Sequence, residues 1–193
     1  VRPLTRWLPH LVTDEHAPAL GETASATFSP DRAYRYALTR SWDTDRPVAC
    51  FIMLNPSTAD AFAEDPTIRR CIRFARSWRA GGLLVLNLFA LRSTSPRALY
   101  SHEDPVGPDN DAVLRWVFSP GQELVGPVVA AWGVHGALMG RGSDVTAMLG
   151  AGHIELTCLG VTKDRQPRHP LYVPGATAVV PFPVVPSVAG GAA

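Results

Sequence analysis

"VACFIMLNPSTADAFAEDPTIRRCIRFARSWRAGGLLVLNLF", residues 48–89, decides the fold. Residues 48–55 are almost unbroken in apolar character, which fits a strand covered on both faces. Asp65 can cap a helix, Pro66 suits its first position, and Gly81-Gly82 predicts its end. Ile68, Cys71, Ile72, Ala75 and Trp78 fall on one helical face, with Arg69, Arg73 and Arg76 on another. Residues 83–89 read as the next strand. The result is a strand-helix-strand unit, for which parallel pairing and a right-handed crossover are the default.

The pattern continues toward the C-terminus. Residues 107–118 predict a second helix with Ala112, Val113, Trp116 and Val117 inward, followed by a strand over 127–132. A third helical region at 134–152 has a break at Arg141-Gly142-Ser143, and 153–160 supply a fourth core strand. Toward the N-terminus, "TASATFSPDRAYRYALTRSW" reads as an edge hairpin turning at Ser29-Pro30-Asp31, with Tyr34, Tyr36 and Leu38 alternating. The expected fold is therefore α/β: a three-layer α/β/α sandwich with a mainly parallel four-stranded sheet and an N-terminal antiparallel hairpin. Residues 1–22 are expected to be an extended lead-in, 23–182 one domain, and 183–193 a flexible tail, with a short strand or irregular edge at 178–182.

Composition sets the outer limits. The 193 residues, 46% hydrophobic and 18% charged, suit one folded domain, and a net charge of +1 gives no global pull toward nucleic acid or membrane. The 18 basic residues are arginines except for Lys163, so local clusters of planar donors matter more than the sum. Cys50, Cys71 and Cys158 form neither a disulfide framework nor a metal-ligand spacing, and no cofactor or metal is expected. No signal-like or membrane-spanning run occurs, so the cytoplasm is the expected location.

Parallel sheets place their sites beyond the carboxyl ends of the strands. Four segments reach that edge: 55–65, 89–96, 133–136 and 160–172. In the first, Asn55, Pro56, Ser57 and Thr58 combine amide, hydroxyl and turn chemistry, with Asp60 and Asp65 as nearby carboxylates. Asp65 either caps the helix or serves a ligand, and Arg69 either meets an anion or lies on a solvated face. Asn87 interrupts an apolar strand, so its amide is a ligand contact or a latch. Arg92 can reach an anion, Trp132 can stack on a ring or fill the core, and His135 lies at the same edge. In "KDRQPRHPLY", Arg168 and His169 can bind an anion or carbonyl oxygen, with Tyr172 beside them.

"IMLNPSTAD", "DPTIRRC", "NLFALR", "DPVGPDN", "AAWG" and "PRHPLY" together resemble the bacterial family called domain of unknown function 1643, over about residues 28–172. More remotely, the order of elements resembles the uracil-DNA glycosylase superfamily. "LNPS" is similar to the Asn-Pro element of its mismatch-specific branch and "RHPLY" to its late His-Pro-Ser element, with Leu171 where that pattern has serine. This resemblance implies that Asn55 positions water, with Asp65 or Asp60 as carboxylate, that Asn87 contacts a base and that His169 stabilises charge on the base oxygen. The expected activity is hydrolysis of an N-glycosidic bond in a nucleobase-containing small molecule or single-stranded nucleic acid. A non-catalytic nucleotide or nucleic-acid binding module and an unrelated small-molecule hydrolase are the alternatives.

Overall fold

The computed structural model describes residues 4–122 and 126–182. Its strands are β1 (Val12–His16), β2 (Thr23–Phe28), β3 (Arg35–Ser41), β4 (Val48–Met53), β5 (Gly82–Asn87), β6 (Val128–Ala130), β7 (Leu156–Cys158) and β8 (Val180–Pro181). They form one eight-stranded sheet in the order β1-β2-β3-β5-β4-β6-β7-β8. The helices are α1 (Pro66–Ser77), α2 (Ala98–Ser101), α3 (Asn110–Val117) and α4 (Arg141–Ala151). The expected tail at 183–193 lies outside the described residues.

The expected fold, a four-stranded, mainly parallel sandwich of uracil-DNA glycosylase type, is corrected by this sheet. It has eight strands, and four of its seven pairings are antiparallel. Parallel pairing is confined to the middle, β5-β4-β6-β7, where helical or long connections carry the chain back to the same end. Short connections impose the opposite sense on the flank β1-β2-β3. β3 then docks antiparallel against β5, and β8 docks antiparallel against β7. β1 comes from the stretch read as a lead-in, where "VTDEH" has no apolar alternation to announce a strand.

Helices cover both faces of the central strands. On one face Ile68, Cys71 and Phe74 of α1 pack on Phe51, Met53, Leu83 and Val85. On the other, Val113, Leu114 and Val117 of α3 and Val145 and Leu149 of α4 meet Ile52, Leu84, Leu86 and Ala130. Each such buried Leu, Ile or Phe contributes roughly 1.5–3 kcal/mol. Asp65 caps α1 by accepting from the Ile68 N–H at 2.8 Å, with Pro66 beside it at the first position. The helix closes at Trp78, which stacks on Phe51 with ring centroids 5.6 Å apart, and left-handed Arg79 turns the chain. Gly81 serves close packing, since a Cβ there would lie 1.9 Å from the Asp43 carbonyl oxygen. The break in the third helical region falls earlier than expected. Residues 134–140 form a 3-10 segment interrupted by non-helical backbone at Leu138 and Met139, and positive φ at Met139 and Gly140 sets the start of α4.

No helix among the described residues is long and apolar enough to cross a membrane. The three cysteines are free and buried, and burial pushes each thiol pKa up, so these thiols stay protonated.

Candidate functional site

The carboxyl ends of β4, β5, β6 and β7 face one concave cavity of about 700 Å³. Residues from all four expected loops line it: Asn55, Ser57 and Asp65 from the first, and Ser93 and Thr94 from the second, with Asn87 from the end of β5. Gly133 and His135 come from the third, with Trp132 just before it, and Lys163, Arg168, His169 and Tyr172 come from the fourth. The turn after β4 and the late arginine-histidine loop thus line the same cavity.

Asn55 works as a latch. Its Nδ2 group donates to the carbonyl oxygens of Ser93 at 2.8 Å, Pro56 at 3.0 Å and Leu91 at 3.4 Å. The Ser93 N–H returns a bond to the Pro56 carbonyl at 2.9 Å, so the first two loops are tied to each other. Asp65 lines the cavity while one of its oxygens caps α1. The Nδ1 of His169 accepts from the Leu171 N–H at 3.3 Å, which leaves the neutral ring its proton on Nε2. Burial holds the His169 pKa below its ordinary value against the opposing pull of Asp65, so the ring is neutral at pH 7.

Asn87 differs from all of these. It is 1% exposed, lines the cavity, and neither its Oδ1 nor its Nδ2 has a partner. An amide with both ends unmet in a buried position costs about 1–3 kcal/mol and calls for an explanation. Its main chain is pinned from the opposite face of the sheet. The Asn110 Nδ2 group donates to the Asn87 carbonyl at 3.1 Å and to the Leu88 carbonyl at 2.9 Å, and Arg141 Nε reaches the Leu88 carbonyl at 2.9 Å.

Trp132 is 2% exposed, and its Nε1 donates to Gln166 Oε1 at 3.0 Å, which fixes one edge of the wall. Gly136 permits this, because a Cβ there would meet the indole at 1.9 Å. His135 Nδ1 lies 3.1 Å from the Tyr100 hydroxyl. Arg168 is exposed at the mouth, its Nε on the Val161 carbonyl at 3.1 Å, and Tyr172 stands at the rim, 80% exposed.

Five of the expected contacts lie elsewhere. The carbonyl of buried Pro56 belongs to the latch, and Thr58 and Arg92 line a separate shallow groove. Arg92 there donates to the Arg32 carbonyl at 3.0 Å and lies 5.0 Å from the Phe28 ring centre. Asp60 accepts from the N–H groups of Phe62 and Ala63, each at 2.8 Å, and so organises its own turn. Arg69 donates to the Glu64 carbonyl at 2.8 Å and lines another groove with Arg70 and Arg73.

Arg35 was not among the expected residues, yet it lines the cavity at 2% exposure. In an unbroken strand residues 35 and 38 would face opposite ways. Here the β2–β3 register slips: Thr27 pairs with Ala37 and Phe28 with Arg35, which leaves Tyr36 as the extra residue of a β-bulge. Leu38 packs on the α1 face, Ala37 and Tyr36 on the other, and Arg35 returns to the α1 side. The guanidinium donates Nη1–H to the Ala59 carbonyl and leaves Nε without a partner. Burial lowers its pKa to about 10, so it remains a cation at pH 7.

The expected glycosylase, and hydrolase chemistry with it, is corrected by these findings. The sheet that supported the likeness is eight-stranded and mostly antiparallel in its pairings. The groups assigned to water and charge are engaged in holding loops: the Asn55 amide as a latch, an Asp65 oxygen as a cap, and His169 Nδ1 on the backbone. Among the described residues no group of three or more His, Cys, Asp or Glu side chains is placed to hold a metal ion.

No curated protein and no solved structure matches this chain. One family model does match, over residues 35–171, which takes in β3 through the late histidine loop and every residue lining the cavity except Tyr172. The chain belongs to that family, described as protein of unknown function (DUF1643).

Proposed function

We propose that the chain binds a nucleobase-containing small molecule in this cavity, with Asn87 reading the edge of the base. The observation that carries the reading is the unmet donor and acceptor of Asn87 in the cavity wall. A primary amide presents an N–H beside a C=O, which complements the paired donor and acceptor along the edge of a purine or pyrimidine. A volume of about 700 Å³ falls within the range of small-molecule sites. The neighbouring walls supply apolar surface from Met53, Leu54, Ile68 and Val85 for a flat ring, and the Nε2–H of His169 is one further donor. Its concave form favours a free small molecule over a strand of nucleic acid, which needs an open basic track.

Isothermal titration of the five common bases and their nucleosides tests the proposal. Saturable binding of at least one, weakened about 10- to 100-fold by Asn87→Leu, is the expected result. Absence of heat and of thermal stabilisation across the whole series would remove the nucleobase from the reading.

A further inference from the structure

Three arginines are buried among the described residues: Arg35, Arg40 and Arg141. Arg40 faces Glu64 at 3.4 Å, and Arg141 is bonded to Asp111. Arg35 has no carboxylate in any ion pair among the described residues. Among the described residues the one hydrogen bond of its guanidinium goes to a backbone carbonyl, and its Nε–H has no partner. A buried cation without an anion is costly, and a protein that needs only packing at such a position has no reason to keep arginine there.

The charges around Arg35 do not close the account. Asp65 and Asp60 attract it from a distance while Arg92 and Arg40 repel it. One Asp65 oxygen is occupied by the α1 cap, and Asp60 accepts from its own turn. In the cavity wall the cations are Arg35, Lys163 and Arg168, set against Asp65 as the one carboxylate. The β-bulge at Tyr36 brings Arg35 to this wall beside the strand that carries Asn87; the Arg35 N–H bonds the Ala90 carbonyl at 2.9 Å.

The geometry points to an anion subsite: the ligand of this cavity carries a carboxylate or phosphate group, and Arg35 is its buried counter-ion. This deepens the nucleobase reading and rests on it for the rest of the ligand. Two sources share the chemistry, a nucleoside monophosphate and a base bearing a ring carboxylate.

The test is a calorimetric comparison of four forms of whichever base binds: free base, nucleoside, nucleoside 5′-monophosphate and ring-carboxylated base. Inorganic phosphate serves as a separate probe. At least one anionic form should bind about tenfold or more tightly than its neutral counterpart, and Arg35→Met should erase that preference while leaving the neutral form's affinity nearly unchanged. The monophosphate and the carboxylate arms tell the two sources apart. Equal affinity for neutral and anionic forms in the wild type overturns the proposal, as does a preference that survives Arg35→Met. Should Arg35→Met fold poorly, the wild-type comparison alone decides, with Arg35→Lys expected to retain part of the preference. Thermal stabilisation by phosphate that is lost in Arg35→Met but kept in Asn87→Leu, with no base bound, would sustain the anion subsite and reject the nucleobase.

Discussion

The two faces of the sheet at the end of β5 use the same residue types to opposite ends. Behind it, Asn110 and Arg141 spend their donors on the carbonyls of Asn87 and Leu88, and Arg141 adds Asp111; of the Asn110 amide only Oδ1 is left over. In front, Asn87 has neither amide atom satisfied and Arg35 has no acid. Both pairs are buried, so exposure does not separate them. What differs is that the front pair faces a cavity. The lesson is that a polar group placed to support a strand is satisfied by the protein, while one placed for a ligand is left open at a cost in stability.

That contrast can be broken by substitution, and the rear network carries the largest effect. Arg141→Ala strips a donor from the buried Leu88 carbonyl and should destabilise the fold by about 2–3 kcal/mol. The half-exposed Asp111 left behind is rehydrated, so the cost stays below that of a fully buried pair. Chemical denaturation checks it; a loss under about 0.5 kcal/mol would mean that the clamp is ornamental.

The front pair should behave in the opposite sense. Asn87→Leu keeps the branched shape, places its larger methyl groups against the cavity and removes two unmet polar atoms, so the free protein should gain about 1 kcal/mol, a rise of roughly 2–4 °C in Tm. A fall in Tm would show that Asn87 is satisfied in solution and that the two faces are alike. Arg35→Met should change stability still less, within about 1 kcal/mol, because the relief of a lone buried charge offsets the lost bond to Ala59. The smallest effect is a pH slope. His169 has its folded pKa held below the ordinary 6.5, so the unfolded chain takes up its proton first as pH falls. Its contribution to stability is present above pH 6.5 and is lost as pH drops through the folded pKa, and His169→Gln should flatten that slope.

How much of this was legible in the sequence follows from local chemistry. The β4-α1-β5 unit could be read because residues 48–54 are continuously apolar and Asp65-Pro66 marks the helix start. β1 could not, since "VTDEH" is largely exposed and owes its strand form to its neighbour, whereas β8, equally exposed, falls inside the short segment expected at 178–182. The β2–β3 hairpin was legible from its alternation and the Ser29-Pro30-Asp31 turn, but the antiparallel docking of β3 on β5 and of β8 on β7 was not, because pairing sense there is set by which edge is free to receive a strand. Among site residues Asn87 stood out as a polar interruption in an apolar strand. Arg35 was hidden because strict alternation with Leu38 sends it to the wrong face, and only the bulge reverses its parity. The turn at Asn55 was read as a source of ligand or water contacts, but sequence cannot distinguish an amide turned to a ligand from one bonded to three carbonyls.

The most direct measurement is a paired titration and melt of wild type and Asn87→Leu, with the base and its monophosphate as titrants. An open front face predicts that the substituted protein melts higher and binds at least about tenfold more weakly. Unchanged affinity together with a lower melting temperature would contradict the account, placing Asn87 with Asn110 among the residues that merely hold the sheet together.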